Sequence, residues 1–239
     1  MKTPLLPSVN SSLLEVDHVF ICLETAPEVE FFAKHGLTVS PTSVKQPERG
    51  TASQIIFFEN FYLEFIWVED EIAAEIYAVR TGIDFLGRTY EYNNKYSPFG
   101  IALRQQSGRK AFLDQYNFSY SSPEKSELLL SFSSENLVTQ TEPLCFVIPD
   151  AIALPTLARN FPNLQYQWMS HSLGLKKITG MEISSTCENA LSQPLALLSQ
   201  DGVVQIEYGS PCIQLHFDNC VKRGVIDARK IDIPLILQF

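Results

Sequence analysis

Basic residues are scarce in this 239-residue chain: 18 lysines and arginines stand against 27 aspartates and glutamates, for a net charge of −9. Runs such as Arg109-Lys110, Lys176-Lys177 and Lys222-Arg223 never exceed two residues. The positive stripe that displaces counterions from a nucleic acid is therefore missing. Cysteine is sparse too. Cys22, Cys145, Cys187, Cys212 and Cys220 are odd in number, widely spaced and without a CxxC pair, which argues against a disulfide framework or a zinc ribbon. Reduced thiols and a cytoplasmic location are the expectation. Long apolar runs are absent as well. The stretch from Gln54 to Val68 is broken by Glu59, Asn60 and Glu64, and that from Cys145 to Ala158 by Pro149, Asp150 and Pro155. No segment reads as a membrane span. Residues 1–13 form a leader whose Pro4 and Pro7 interrupt any signal-peptide core. A G-x-S-x-G elbow, a P-loop and a dinucleotide fingerprint are all lacking, so no nucleotide cofactor is expected.

What is present is apolar and aromatic: 45% hydrophobic residues, with 16 Phe and 9 Tyr, enough for a sizeable core. Val16 to Leu23 alternates as a strand, with Val16, His18, Phe20 and Cys22 on one face. Thr25-Ala26-Pro27-Glu28 has the form of a capping box opening a short helix, which Gly36 closes. A strand near Leu37 to Ser40 and a polar loop through Gly50 follow. Ala52 to Phe58 and Phe61 to Val68 then read as a hairpin. The order is β-α-β-β-β.

Asp70 to Val79 reads as a helix and Arg80 to Ser97 as a connection. The pattern restarts with a strand at Phe99 to Arg104, a helix at Gly108 to Tyr116, and strands at Leu128 to Phe132 and Leu144 to Ile148. A degenerate third copy runs through Ile178 to Thr186, Glu188 to Leu198, Val203 to Tyr208 and Ile213 to Phe217, and Ile233 to Phe239 closes the chain. The expected organisation is module one at residues 14–69 and module two at 97–150, together one domain over 14–150. An extension over 151–239 follows, holding a possible third module.

Val16-Asp17-His18-Val19-Phe20-Ile21, Phe32-Ala33-Lys34-His35-Gly36-Leu37, Gly50-Thr51-Ala52-Ser53 and Phe61-Tyr62-Leu63-Glu64-Phe65-Ile66-Trp67-Val68 together resemble a glyoxalase-like domain of the vicinal oxygen chelate superfamily. That superfamily also holds bleomycin-resistance proteins and extradiol dioxygenases. Pro143 to Ile148 and His171-Ser172-Leu173-Gly174 look like weaker landmarks of the same group. The resemblance implies an α+β fold of repeated βαβββ modules, curved into a half-open barrel with helices outside. The first and fourth strands of a module then lie side by side, which puts His18 and Glu64 on one concave face. In metal-dependent relatives, such a pair and its counterparts in the second module hold a divalent ion. Glu64 is the candidate catalytic carboxylate, and His18 with Glu64 the candidate metal pair, because imidazole and carboxylate suit a divalent cation.

The ligand set is incomplete on every reading. If module two is the partner, the matching positions fall near Phe99 and Cys145; if the C-terminal copy is, they fall near Gly180 and Gln214, with Glu182 and His216 close by. Glu64, between Leu63 and Phe65, needs a nearby cation, metal or histidine. Tyr62, Arg49, Thr51, Trp67 and His171 are the candidate ligand-binding residues. Aromatic lining is expected from Phe57, Tyr62, Trp67, Tyr90, Tyr92, Phe99 and Phe146. Three functions fit: a divalent-metal-dependent lyase, isomerase or dioxygenase that chelates adjacent substrate oxygens; a non-catalytic small-molecule binder of the bleomycin-resistance type; and an interaction module that pairs through a sheet edge. A small-molecule ligand is expected as partner, with no nucleic acid and no membrane, for a monomer or homodimer.

Overall fold

The structure is a computed structural model and describes residues 13–89, 96–106, 116, 118–120, 130–163, 167–188 and 190–239. It is an α+β fold with two mixed sheets and no closed barrel. The first sheet begins with β1 (Leu14–Leu23), followed by α1 (Val29–Lys34), β2 (Val44–Gln46), β3 (Thr51–Phe57) and β4 (Tyr62–Val68). After α2 (Glu71–Thr81) come β5 (Phe99–Gln105), β6 (Ser119–Tyr120), β7 (Ser131–Phe132), α3 (Ser134–Val138) and β8 (Leu144–Val147). The strand order is β2-β3-β4-β1-β5-β8-β7-β6. Each half thus places its first strand parallel to its last, β1 beside β4 and β5 beside β8, while β1 and β5 join the halves antiparallel.

The C-terminal part opens with α4 (Leu154–Asn160) and builds a second sheet. Its elements are β9 (Ile178–Ser185), α5 (Gln193–Gln200), β10 (Gln205–Tyr208), β11 (Cys212–Phe217), β12 (Val225–Asp227) and β13 (Leu235–Gln238). The order is β10-β9-β11-β13-β12, so β9 lies between β10 and β11 and away from the closing strand. This differs from the strand order of the first two modules.

Several local expectations shift. The chain from Leu37 to Ser40 is not a strand, and the three-residue edge strand Val44–Gln46 stands in what reads as loop. Helix α1 starts at Val29 with Glu28 as a cap that makes no side-chain bond, so Thr25 to Glu28 precede the helix instead of boxing it. Gly36, at φ +80°, does close it, with Leu37 N–H donating to the Phe32 carbonyl at 3.0 Å. Helix α2 is capped at both ends: the Asp70 carboxylate accepts the Ala73 N–H at 3.0 Å, and Gly82 takes the left-handed turn. The helix expected at Gly108 to Tyr116 falls mostly outside the described residues.

The two faces of the first sheet do different work. Val19, Ile21, Leu63, Phe65, Phe99, Ile101 and Cys145 point to the back and join Phe32 of α1, Leu195 and Leu198 of α5, and Met181, Ile183, Leu215, Phe217 and Leu237 of the second sheet in one buried cluster. Phe58 and Phe217 meet there with ring centroids 4.5 Å apart. The turn between β3 and β4 is strapped to β9, because the Asn60 amide donates to the Ile178 carbonyl and accepts its N–H, each at 3.0 Å. The front face carries Phe20, Cys22, Ile66, Ala102, Leu144 and Phe146, which pack with Tyr77, Ile83 and Phe85 from α2 and the chain after it. Among the described residues no helix is long and apolar enough to cross a membrane.

Candidate functional site

The front face of the first sheet lines a cavity of about 670 Å³. Phe20, Ile66, Phe85, Phe132, Leu144 and Phe146 give it an apolar floor, and Val44 to Arg49 form a more exposed wall. Gly100 makes that floor possible. The Phe20 ring lies against it so closely that a Cβ there would come within 2.0 Å of a ring carbon. Strand β5 therefore needs a residue without a side chain at this point.

Two sequence-predicted residues, His18 and Glu64, share this face and line the cavity. In the parallel pairing His18 stands opposite Tyr62 and Phe20 opposite Glu64, so the two are set two positions apart along the strands. Tyr62 stacks on the imidazole, with centroids 4.1 Å apart and planes 16° apart. Burial, with the charges of Glu64 and Asp17, pushes the Tyr62 phenol well up, so its hydroxyl stays protonated.

The expected pairing of His18 with Glu64 does not form. The partner of His18 is Asp17, whose Oδ1 lies 3.1 Å from Nδ1. Adjacent strand residues ordinarily point to opposite faces. Here the register slips between Val16, opposite Leu103, and His18, opposite Ala102, which makes Asp17 the extra residue of a bulge. The bulge re-aims its carboxylate. Asp17 is fully buried, and its Oδ2 accepts from Arg104 Nη1 at 3.0 Å and from the Leu154 N–H at 2.8 Å. Burial alone would raise this carboxyl; the hydrogen bond and charge of His18, the Leu154 N–H and Arg104 outweigh it and hold the group below the usual carboxylate range. Arg104 also donates to Glu15 and to the Asn60 carbonyl.

A carboxylate can only accept, so in the neutral ring Nδ1 carries the proton and Nε2 presents a lone pair. Nε2 has no hydrogen-bond partner among the described residues, and neither has the Glu64 carboxylate. Asp17 and Arg104 were missed in the sequence reading. The available signal was an acidic residue beside a histidine in an otherwise apolar strand.

Of the other candidates, Tyr62 and Arg49 line the cavity, the Arg49 guanidinium resting 5.8 Å from the Tyr77 ring centroid. Thr51 and Trp67 do not. Thr51 is buried at the start of β3, opposite Val68, and Trp67 alternates away from Glu64 and Ile66. His171 stands apart too, because the backbone uses both its nitrogens: Nδ1 accepts the Thr38 N–H and Nε2 donates to the Phe57 carbonyl, each at 2.9 Å. Burial lowers its pKa below 6.5 against the pull of the Phe57 carbonyl, which keeps the ring neutral. Phe57 and Phe99 are outside the cavity, Phe146 is in it, and Tyr90 and Tyr92 lie outside the described residues.

The second-module positions also need correction. Phe99 and Cys145 point into the rear core, and the front-face counterparts are Gly100 and Ala102 on β5 and Leu144 and Phe146 on β8. None of these side chains offers a metal donor. Gly180, Glu182, Gln214 and His216 lie on the second sheet, away from the cavity lining. Among the described residues no group of three or more His, Cys, Asp and Glu is arranged to hold a metal ion. Among the described residues, two donors from one half of the sheet fall short of the ligand set of a divalent ion.

A family model described as a glyoxalase-like domain matches residues 16–113. Over that segment the chain is similar to a glyoxalase-like domain. The match begins on the strand that bears Asp17 and His18, runs through β4, and takes in β5 with Arg104. Among solved structures, a hypothetical protein from Staphylococcus aureus is similar in fold, with a TM-score of 0.58 at 13% identity over 95% of this chain and 99% of that one. The curated proteins contain no match. The first and fourth strands meet as the sequence resemblance implies, and the described positions that correspond to them in the second half carry no metal donor.

Proposed function

We propose that the protein binds a small, mostly apolar molecule in the front cavity, with a hydrogen-bond-donating head, an amine or a hydroxyl, set on His18 Nε2 and Glu64. The observation that carries this is the pair of acceptors, both without hydrogen-bond partners among the described residues, beside an aromatic and aliphatic floor and a wall that also carries Lys45, Gln46, Glu48 and Arg49. A buried polar group left unpaired costs roughly 1–3 kcal/mol, and a donor-bearing ligand recovers this at His18, which is buried. A volume of about 670 Å³ lies within the range of small-molecule sites. Tyr62, stacked on His18, supplies a hydroxyl that donates as well as accepts. This is the metal-free, binding alternative among the functions drawn from the sequence.

The test is thermal stabilisation by matched aromatic and aliphatic amines, alcohols and carboxylates, since a ligand selective for the native state raises stability by mass action. Amines and alcohols are expected to raise Tm and carboxylates of the same skeleton are not. His18→Ala and Glu64→Ala should each remove the effect. A panel in which carboxylates bind as well as amines, or variants that bind like the parent protein, overturns the assignment.

The Asp17–His18 pair supports one further reading. A carboxylate that fixes Nδ1–H leaves Nε2 as a base, so a bound molecule with an acidic C–H would lose its proton there. Exchange of that hydrogen with deuterated solvent, present in the parent protein and absent in His18→Ala, is the result expected if the pair moves protons.

A further inference from the structure

The outer face of the second sheet carries a cluster that the cavity does not use. On β11 the half-buried Cys212, Gln214 and His216 alternate with the buried Ile213, Leu215 and Phe217. The register sets Gln214 opposite Glu182 and His216 opposite Gly180 on β9. Gly180 leaves its place empty, and the His216 ring packs against it: a Cβ there would lie 3.3 Å from Cδ2. From that position His216 Nε2 reaches Glu182 Oε1 at 3.1 Å. On its other side, Nδ1 lies 3.6 Å from the sulfur of Cys220. The Gln214 amide nitrogen lies between the two, 3.4 Å from the second carboxylate oxygen of Glu182 and 3.3 Å from His216 Nε2.

The proton positions follow from this geometry. Glu182, the nearer neighbour of Nε2 at 3.1 Å against 3.3 Å for the Gln214 amide, is charged and only accepts, so in the neutral ring it favours the hydrogen on Nε2, and Nδ1 turns its lone pair toward the thiol. Nucleophile, base and orienting carboxylate stand in that order. The cysteine is also held in place. Asp218, Asn219 and Cys220 have φ of +48°, +57° and +55°, a left-handed run that residues with a Cβ rarely adopt. Two ties hold the turn on the start of β9. The Asp218 carboxylate accepts the N–H groups of Lys176 and Lys177 at 3.0 Å each, and the Asn219 N–H donates to Thr179 Oγ1 at 3.0 Å.

Cys22, Cys145 and Cys212 lack this setting. Cys22 and Cys145 are fully enclosed, and burial pushes their thiols up, Cys22 to about 12. Cys187 is buried. Cys212, at the start of β11, is half-buried like Cys220, but its sulfur meets the Ile213 carbonyl and burial raises its thiol.

We propose that Cys220 is a nucleophilic thiol, with His216 as its proton acceptor and Glu182 as the residue that positions the imidazole, and that it reacts with small, soft carbon electrophiles carrying a leaving group. In the step the S–H bond breaks and its proton passes to His216 Nδ1. The sulfur pair forms an S–C bond, and the leaving group departs with the electrons of the bond it breaks. This site is independent of the front cavity.

Iodoacetamide is the probe, with iodide as its leaving group, and modification of each cysteine in the native protein is followed at neutral pH by peptide mass spectrometry. Cys220 is expected to react first, at least about tenfold faster than Cys212, as general-base assistance implies. His216→Ala should lower the Cys220 rate by about tenfold or more, whereas a thiol that is merely accessible would react as fast or faster once the ring is gone. Glu182→Ala should also slow Cys220, and Glu182→Gln, whose amide oxygen still accepts the Nε2 proton, should restore most of the rate. Cys220 reacting no faster than Cys212 in the unaltered protein overturns the proposal, and that comparison needs no variant to fold. A His216→Ala protein with an unchanged or higher Cys220 rate also overturns it, and equal rates in the two Glu182 variants remove Glu182 from its role.

Discussion

Replacing Asp17 by Asn changes the fewest atoms for the largest expected effect. The side chain is fully buried and accepts three hydrogen bonds, at 3.1 Å from His18, 3.0 Å from Arg104 and 2.8 Å from the Leu154 N–H. An amide oxygen in the place of Oδ2 keeps the last two as neutral bonds, while the charge that balances Arg104 is lost. Breaking a buried ion pair costs about 3–5 kcal/mol. Arg104 retains Glu15 at 3.2 Å, so the lower end of that range applies, about 3 kcal/mol. At about 2–4 °C per kcal/mol for a chain of this length, Tm should fall by roughly 6–12 °C.

The same substitution alters the histidine. The new NH₂ group faces Nδ1, which must then accept, and the ring proton moves to Nε2. His18 becomes a donor at the cavity wall, and the ligand preference should turn from amines and alcohols toward acceptors. The pH dependence has a definite sign. Because the folded pKa of Asp17 is held below the ordinary 3.8, its contribution is present above that value and is lost as pH falls through the folded value. The Tm gap between parent and variant should therefore be constant near neutrality and close only below about 3.8. Melts across that range and ¹⁵N spectra of the histidine side chains are the assays. A Tm within about 1 °C of the parent, or a gap that closes well above pH 4, would refute the reasoning.

Gly100→Ala should cost about 1–3 kcal/mol in denaturant titration and weaken ligand binding, because the added methyl drives the Phe20 ring off β5 and into the cavity. Ile55→Trp, at a half-buried lining position across from Glu64, should abolish ligand stabilisation in a thermal-shift assay while leaving the ligand-free Tm close to the parent value. His171 binds protons less readily folded than unfolded, so its contribution is full above 6.5 and declines as pH falls from there through the folded value. Urea titrations on either side of 6.5 should show a smaller acid loss of stability in His171→Asn than in the parent protein.

Period-two alternation placed His18 and Glu64 on one face, because β1 and β4 each carry the pattern of a strand with distinct sides. The Asp17 partnership was not legible in the same way. A bulge is a register event between strands some 80 residues apart in the sequence, and the alternation rule sends Asp17 to the wrong face. The second module failed for a different reason. From Phe99 to Arg104 every residue is buried, so hydrophobicity no longer tells one face from the other, and a slip of one position exchanged Phe99 and Cys145 for their neighbours. The edge strand Val44–Gln46 is short, polar and half exposed, with no periodicity to detect. Helix α2 lies where the sequence reads a helix, with Asp70 capping its start. His171 sits in a loop, and only the folded chain brings Thr38 and Phe57 to its two nitrogens.

The rear core has a practical meaning for anyone who would shorten this protein. Recognisable family sequence stops at residue 113, yet the wall behind the cavity is completed by Met181, Ile183, Leu215, Phe217 and Leu237. A fragment trimmed to the recognisable segment would bare Val19, Ile21, Leu63 and Phe65 as one contiguous apolar surface, the kind that drives aggregation. The place where likeness ends is not a place where the molecule can be cut.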